Sequence, residues 1–372
     1  MLSTFPPTEC GIATFAAALA AGIIAAGGTV DVVRCGAAPM IEDASVVASL
    51  EGLSPHHTGR AAAALNRTDV AIVQHEYGIY AGDDGHSVLD VINRLTVPVI
   101  LVAHTVLAAP SASQRAILMK ACFAADAVVV MTEIARRRLI ENLGVVPGKV
   151  QVIAHGAATP SMAQHRQQRP ATTKPSLLTW GLLGPGKGIE WAIDAMALLE
   201  DVQPRPHYLI AGATHPKVLE RSGESYREML QQRVADSAAA GYVSFDDTYR
   251  DLPSLNTLIR SADLVVLPYD SKDQVTSGVL VDAVAAGRPV VSTAFPHAVE
   301  LLGSGAGIVV PQRDPGALAA AIRSVLTDDS RAGAMAAEAR RLAPDLSWTA
   351  VAEQYTALAH TLLTVRASMA DS

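Results

Sequence analysis

"ADLVVLPYDSKDQVTSGVLVDAVAAGRPVVST", residues 262–293, runs from one Val/Leu-rich segment through a polar loop and an Ala/Val-rich stretch into a second Val-rich segment. Neither "ADLVVLPY" (262–269) nor "RPVVST" (288–293) alternates apolar with polar residues, so both read as strands covered on two faces. Thr276-Ser277-Gly278 supplies turn chemistry, and a helix is expected over 278–286. Strand, loop, helix and strand in that order make a βαβ unit of a parallel sheet. One residue is out of place: Asp282 is a carboxylate inside the Ala/Val-rich helix, and its burial is costly unless something pairs with it.

The same alternation extends in both directions. Upstream lie "VDVVR" (30–34), "DVAIVQ" (69–74), "VPVILVAH" (97–104), "ADAVVVMT" (125–132) and "KVQVIAHG" (149–156), separated by helical patterns such as 110–125 and 133–144. Residues 159–175 carry no apolar period and several Pro, Gln and Thr residues, and read as a linker. A second series follows, with "SLLTWG" (176–181), "HYLIAG" (207–212), "YVSFDD" (242–247), the opening unit, and "GIVVP" (307–311). The 372 residues fit two doubly wound α/β domains: 1–158, then after the linker 176–345. The tail, 346–372, has helical spacing and is expected to pack back on the N-terminal domain. The stretch before Pro6-Pro7 leaves only about three residues for a first strand. Either the first strand is short, or the native chain starts upstream of Met1.

Composition narrows the function. Half of the residues are hydrophobic and 17% are charged, which excludes a disordered chain. Aromatics make up 4% and the net charge is −7, so a nucleic-acid partner is not expected. Cys10, Cys35 and Cys122 are too few and too irregularly spaced for a disulfide framework or a zinc site, and a reducing cytoplasm is the expected compartment. Residues 10–30 are free of charge, but Ala and Gly dominate them and no basic segment precedes them. A buried first helix is expected there rather than a membrane span, and a peripheral membrane contact stays open.

In open α/β sheets ligands bind beyond the carboxyl ends of the strands. "TWGLLGPGKGIEWAIDAM" (179–196) places Gly181, Gly186 and Lys187 between a strand and a helix beginning near Ile189, which makes a phosphate site. The order resembles a P-loop, but Gly188 stands where a Ser or Thr would bind magnesium, so a nucleotide hydrolase is not expected. Thr276, Ser277 and Gly278 supply a second anion site at a helix start. Asp282, one turn further on, would accept hydrogen bonds from a sugar diol; the plainer alternative is an Asp bonded to a neighbouring loop.

These motifs, with "VIAHG" and "DPGALAAAI" (314–322), resemble the retaining glycosyltransferases of family 4, which have the GT-B fold of two Rossmann-like domains facing across a cleft. Asp282 to Val291 matches the family's Glu-Ala-x-Ala-x-Gly-x-Pro-Val-Val, while Gln274 stands in place of the family's first Glu. Gly181 to Gly188 matches Gly-Arg-Leu-x-x-x-Lys-Gly, with Leu182 in place of the arginine. The resemblance implies that Asp282 binds ribose hydroxyls, that Gln274 touches the donor sugar and that the amides of Ser277 to Val279 hold diphosphate or sugar. It further implies that Lys187 neutralises the leaving diphosphate. Lys272, Arg250 and Arg288 are candidates to replace the missing arginine, and Asp273 to replace the missing charge at Gln274. Tyr249 is placed against the base.

In the first half the resemblance points to Gly11 in the loop before the first helix, and to His104 as a catalytic residue contacting donor sugar or acceptor. His75, Glu76, Tyr77, Tyr80, Asp83 and Asp84 cluster after a buried strand and suggest acceptor binding; their spacing does not suit a metal. His155 is expected at the interdomain hinge, and His297 and Glu300 either line the donor side or cap the next helix. The implied activity is metal-independent, retaining transfer of a hexose from a nucleoside diphosphate sugar, with GDP-mannose slightly preferred over UDP-glucose and no cofactor. The acceptor is a hydroxyl of a glycan, lipid or small molecule. Leu182 and Gln274 keep open a sugar-nucleotide-binding protein with lost transfer activity, and the same fold also hosts nucleotide-sugar epimerases.

Overall fold

The computed structural model describes residues 1–36, 45–158, 174–248 and 250–370. Most of the expected linker and all of Tyr249 lie outside them. The chain divides into two compact units, one built from Met1–Gly156 with the segment from Ser347 onward, the other from Ala157–Leu346.

In the first unit the order is β1 (Leu2–Ser3), α1 (Gly11–Ala25), β2 (Val32–Cys35), β3 (Val46–Leu50), α2 (Pro55–Leu65), β4 (Ala71–His75), α3 (Ser87–Ile92), β5 (Val99–Ala103), α4 (Ala112–Ala124), β6 (Ala127–Val130), α5 (Glu133–Arg137) and β7 (Val150–Val152). Its parallel sheet has the order β3-β2-β1-β4-β5-β6-β7. The first strand is short: Leu2 and Ser3 pair with Val33 and Arg34 on one side, and Leu2 with Val73 on the other. β3 had no counterpart in the sequence reading, because an edge strand with a half-exposed face lacks a long apolar run. α4 starts on a full capping box between Ser111 and Gln114.

The second unit contains β8 (Ser176–Trp180), α6 (Ile189–Ala197), β9 (His207–Ala211), α7 (Pro216–Ser222), α8 (Ser225–Ala235), β10 (Val243–Asp246), α9 (Leu252–Ser261), β11 (Leu264–Leu267), α10 (Gly278–Ala285), β12 (Val290–Thr293), α11 (Pro296–Leu302), β13 (Gly307–Val310), α12 (Pro315–Leu326) and α13 (Asp329–Leu342). Its parallel sheet runs β10-β9-β8-β11-β12-β13. In each unit strand order reverses beside the first strand, between β1 and β4 and between β8 and β11, and such reversals open a ligand crevice.

The last helix, α14 (Trp348–Ala370), packs on α1 in the first unit. Phe15, Leu19 and Ala20 of α1 share a core with Val351, Ala352 and Tyr355. Close approach requires a small residue: a Cβ on Gly22 would lie 2.8 Å from the Cβ of Ala352. The charge-free stretch is therefore a core helix, and among the described residues no helix is long and apolar enough to cross a membrane.

Candidate functional site

The loops leaving β8 and β11 are laced together over three consecutive positions. The Asp270 amide donates to the Gly186 carbonyl at 3.2 Å, and Lys187 Nζ lies 4.3 Å from the centroid of the Tyr269 ring. Gly188 adopts φ 62°, and a Cβ there would lie 2.0 Å from the Pro268 carbonyl oxygen. Gly188→Ala combines a left-handed backbone with a backbone clash, and is expected to cost about 2–3 kcal/mol in chemical denaturation. A loss below ~0.5 kcal/mol would show that the two loops are not held this closely.

The turn before α10 is fixed from the far side of the loop by His297. Its ring Nδ1 accepts the Ser277 amide at 2.9 Å, and its own amide donates to the Gln274 carbonyl at 3.3 Å. Ser277 Oγ caps the helix by accepting from the Leu280 amide at 3.3 Å. The Ser277 amide is thus already engaged, a correction to its expected role as an anion donor. Gly278 and Val279 retain first-turn amides that have no intrahelical acceptor. His297 neither caps its own helix nor stands open to solvent; it is 5% exposed. Gly181, with φ 120°, abuts the same first turn, since a Cβ there would meet Val279 Cγ2 at 3.6 Å.

Gln274 Nε2 donates to the Thr276 carbonyl, closing the loop on itself and leaving Oε1 as the atom the side chain can offer. Asp282 sits one helical turn beyond Gly278 and is partly buried. Among the described residues its carboxylate has no hydrogen-bond or ion-pair partner, and burial alone pushes its pKa up to about 7. The bonded-loop alternative is therefore not what the structure shows.

Two of the three proposed replacement cations are already committed. Arg250 pairs with Asp246, which it holds down to about pKa 2, and Arg288 donates to the carbonyls of Ala286, Arg260 and Ala262. Lys272 is exposed, and Asp273 lies in the same loop with its amide on Ser271 Oγ. Lys187 has no ion pair among the described residues. Tyr249 lies outside the described residues.

In the first unit Gly11 is the exposed first residue of α1, and a Cβ there would meet nothing within 4 Å. Three histidines gather at the strand ends. His104 Nε2 contacts Gln74 Oε1 at 2.7 Å and its ring meets Phe15 edge-on at 4.8 Å. His155 Nδ1 donates to the Gly156 carbonyl at 2.7 Å, and its ring lies 5.7 Å from that of Trp348. Burial lowers His104 to about pKa 3, helped by the nearby rings of His155 and His75, and lowers His75 and His155 to about 4. All three are neutral at pH 7.

The expected acceptor cluster divides by burial rather than by distance, for the rings of His75 and Tyr77 meet edge-on at 5.1 Å. His75 ends β4 at 1% exposure, and Tyr80 is buried with its hydroxyl donated to the Gln74 carbonyl. Both are interior residues. Glu76, Tyr77, Asp83 and Asp84 are at least partly exposed. Glu76 accepts the Gly78 amide at 2.7 Å, and Tyr77 OH reaches the Gln114 carbonyl at 3.4 Å. Asp83 joins His86, Asp90 and Lys120 along a groove of about 560 Å³ between α3 and α4.

The family model described as glycosyltransferase family 4 matches residues 10–159, and that described as glycosyl transferases group 1 matches residues 174–328. A D-inositol 3-phosphate glycosyltransferase from Kineococcus radiotolerans is 29% identical over 255 residues, 62% of this chain and 56% of that protein. A glycogen synthase from Mycobacterium tuberculosis is 30% identical over 233 residues, 61% of this chain and 52% of that protein. The chain spans about half the length of the curated relatives it matches. Among solved structures, HepE from Anabaena in complex with UDP superposes with a TM-score of 0.75 at 17% identity, covering 97% of this chain and 99% of that one. A glycosyltransferase from Rickettsia africae gives a TM-score of 0.75 at 16% identity, with 97% of each chain covered. The shared fold is GT-B.

Proposed function

Because the chain belongs to the family 4 glycosyltransferases of glycosyl transferases group 1, we propose that it transfers a hexose from a nucleoside diphosphate sugar to an acceptor hydroxyl, with retention at the anomeric carbon. The observation that carries this reading is the group beside the β8–β11 reversal: the Lys187 ammonium and the Asp282 carboxylate, neither of them paired among the described residues, with the first-turn amides of Gly278 and Val279. A diphosphate satisfies the first two and a ribose diol satisfies the third.

In this mechanism the bond from the anomeric carbon to the diphosphate oxygen breaks as the acceptor oxygen bonds to the same face. A donor phosphate oxygen takes the acceptor's proton. The protein orients the reactants and stabilises the developing diphosphate charge, a part we assign to Lys187 and the α10 amides without a divalent metal. Gln274 is placed on the sugar hydroxyls, and His104 on donor sugar or acceptor through Nδ1, the ring nitrogen that Gln74 leaves unengaged. Glu76, Tyr77, Asp83 and Asp84 are the proposed acceptor contacts. HepE was crystallised with UDP-glucose, so a uridine donor is the first to test, ahead of GDP-mannose.

Leu182 and Gln274 favour one other reading, a nucleotide-sugar-binding protein without efficient transfer. A thermal-shift panel of UDP, GDP, ADP and their sugars is expected to show stabilisation by at least one diphosphate. Labelled donor is then expected to give glycosylated product with retained anomeric configuration by NMR. Binding without turnover over a broad acceptor panel would leave the binding-protein reading standing; no binding at all would remove both.

A further inference from the structure

Lys187 carries the diphosphate role in the reading above, yet no carboxylate among the described residues holds it. What holds it is an aromatic face. Lys187 Nζ lies 4.3 Å from the centre of the Tyr269 ring, within the range where the ring quadrupole attracts a cation. Tyr269 is itself enclosed. It is 1% exposed, its ring stacks on Phe295 at 5.0 Å with an interplanar angle of 25°, and its carbonyl accepts from Thr293 Oγ1 and, at 3.2 Å, from Gln312 Nε2. The flanking residues fix the backbone on both sides, with Gly186 bonded to Asp270 and Gly188 pressed on Pro268. Among the described residues the buried Tyr269 hydroxyl has no hydrogen-bond partner, so the phenol oxygen does not explain the choice of residue.

We propose that Tyr269 is a positioning residue for diphosphate binding, its ring face presenting the Lys187 ammonium to the anion. A carboxylate partner would hold the lysine equally well but would compete with the phosphate for its charge. A ring face holds it while leaving its positive charge unneutralised. This matters more here because Leu182 stands where the family pattern has an arginine, and Arg250 and Arg288 are already engaged.

The inference rests on the proposed role of Lys187, and the experiment separates the two. Binding of UDP and GDP, with UMP and GMP as matched controls, would be measured by calorimetry for the native chain, Tyr269→Leu, Tyr269→Phe, Lys187→Met and the Tyr269→Leu/Lys187→Met double variant. Tyr269→Leu is expected to weaken the diphosphate by about 3- to 10-fold and the monophosphate by less than about 2-fold. Tyr269→Phe should restore the native value, since it keeps the face and loses only an unbonded hydroxyl. In the Lys187→Met background, Tyr269→Leu should cost nothing further. Additive losses in the double variant, or equal losses for mono- and diphosphate, would show that Tyr269 only supports the fold and would overturn the proposal. Native diphosphate affinity in Lys187→Met would instead overturn the role of the lysine, and the inference with it.

Discussion

Lys187→Ala is expected to lower kcat/KM for sugar transfer by about 10²- to 10³-fold, with the melting temperature nearly unchanged. In the proposed reaction the leaving diphosphate gathers negative charge as the bond from the anomeric carbon to its oxygen breaks, and a fixed cation is worth most at that moment. Two of the three cations that could replace it are committed elsewhere. Arg250 is bound to Asp246, Arg288 to three carbonyls, and position 182 is leucine. Stability should barely respond, because among the described residues the ammonium has no ion pair to lose beyond its contact with the Tyr269 ring. Steady-state kinetics with labelled donor, alongside thermal melts of both proteins, make the comparison. A loss smaller than about 5-fold would mean that the diphosphate is held elsewhere.

Asp282→Asn should move stability and binding in opposite directions. Burial raises the folded-state carboxyl to about pKa 7 from the ordinary 3.8, so the folded protein holds this proton more tightly than the unfolded chain does. The stability it contributes is therefore present below about pH 4, declines as pH rises through the interval up to about 7, and is fully lost above that. Asparagine carries no charge to desolvate. At pH 8 the variant should gain about 1–2 kcal/mol, a figure discounted for the partial exposure of the site, and melt a few degrees higher.

Nucleotide affinity should fall by about 10-fold or more at the same pH, because a charge-assisted pair of hydrogen bonds to the ribose becomes a neutral one. Native affinity should also weaken as pH drops below 7, as the carboxylate takes up its proton, whereas the variant lacks this component. Nucleotide phosphate titrates near pH ~6 as well, so the diagnostic is the difference between the two pH slopes. Identical slopes would show that Asp282 does not touch the ligand.

The strand–loop–helix–strand unit at 262–293 was legible because its strands are covered on both faces and its helix begins at a side-chain cap. What sequence could not show was where each polar group spends its hydrogen bonds. Ser277 reads as an anion donor until His297, twenty positions on, is seen to take its amide. Tyr80 reads as a loop residue until its hydroxyl is found on the Gln74 carbonyl, and Arg250 as a spare cation until Asp246 claims it. Tyr269 gave no local signal at all. It ends an ordinary apolar run, and its link to Lys187 exists only because β8 and β11 are neighbours in the sheet. β3 was missed for the opposite reason, since a half-exposed edge strand imposes little pattern on its residues.

The packing of α14 on α1 also orders events during synthesis. The second unit is continuous in the chain, from Ala157 to Leu346, and holds everything it needs once the ribosome has passed α13. The first unit is emitted earlier but finished later. Until α14 emerges, the faces of Phe15, Leu19 and Ala20 that it covers are open to water, on a helix with no charge of its own to keep it soluble. The apolar face of α1 is thus completed only by the helix farthest from it in this sequence.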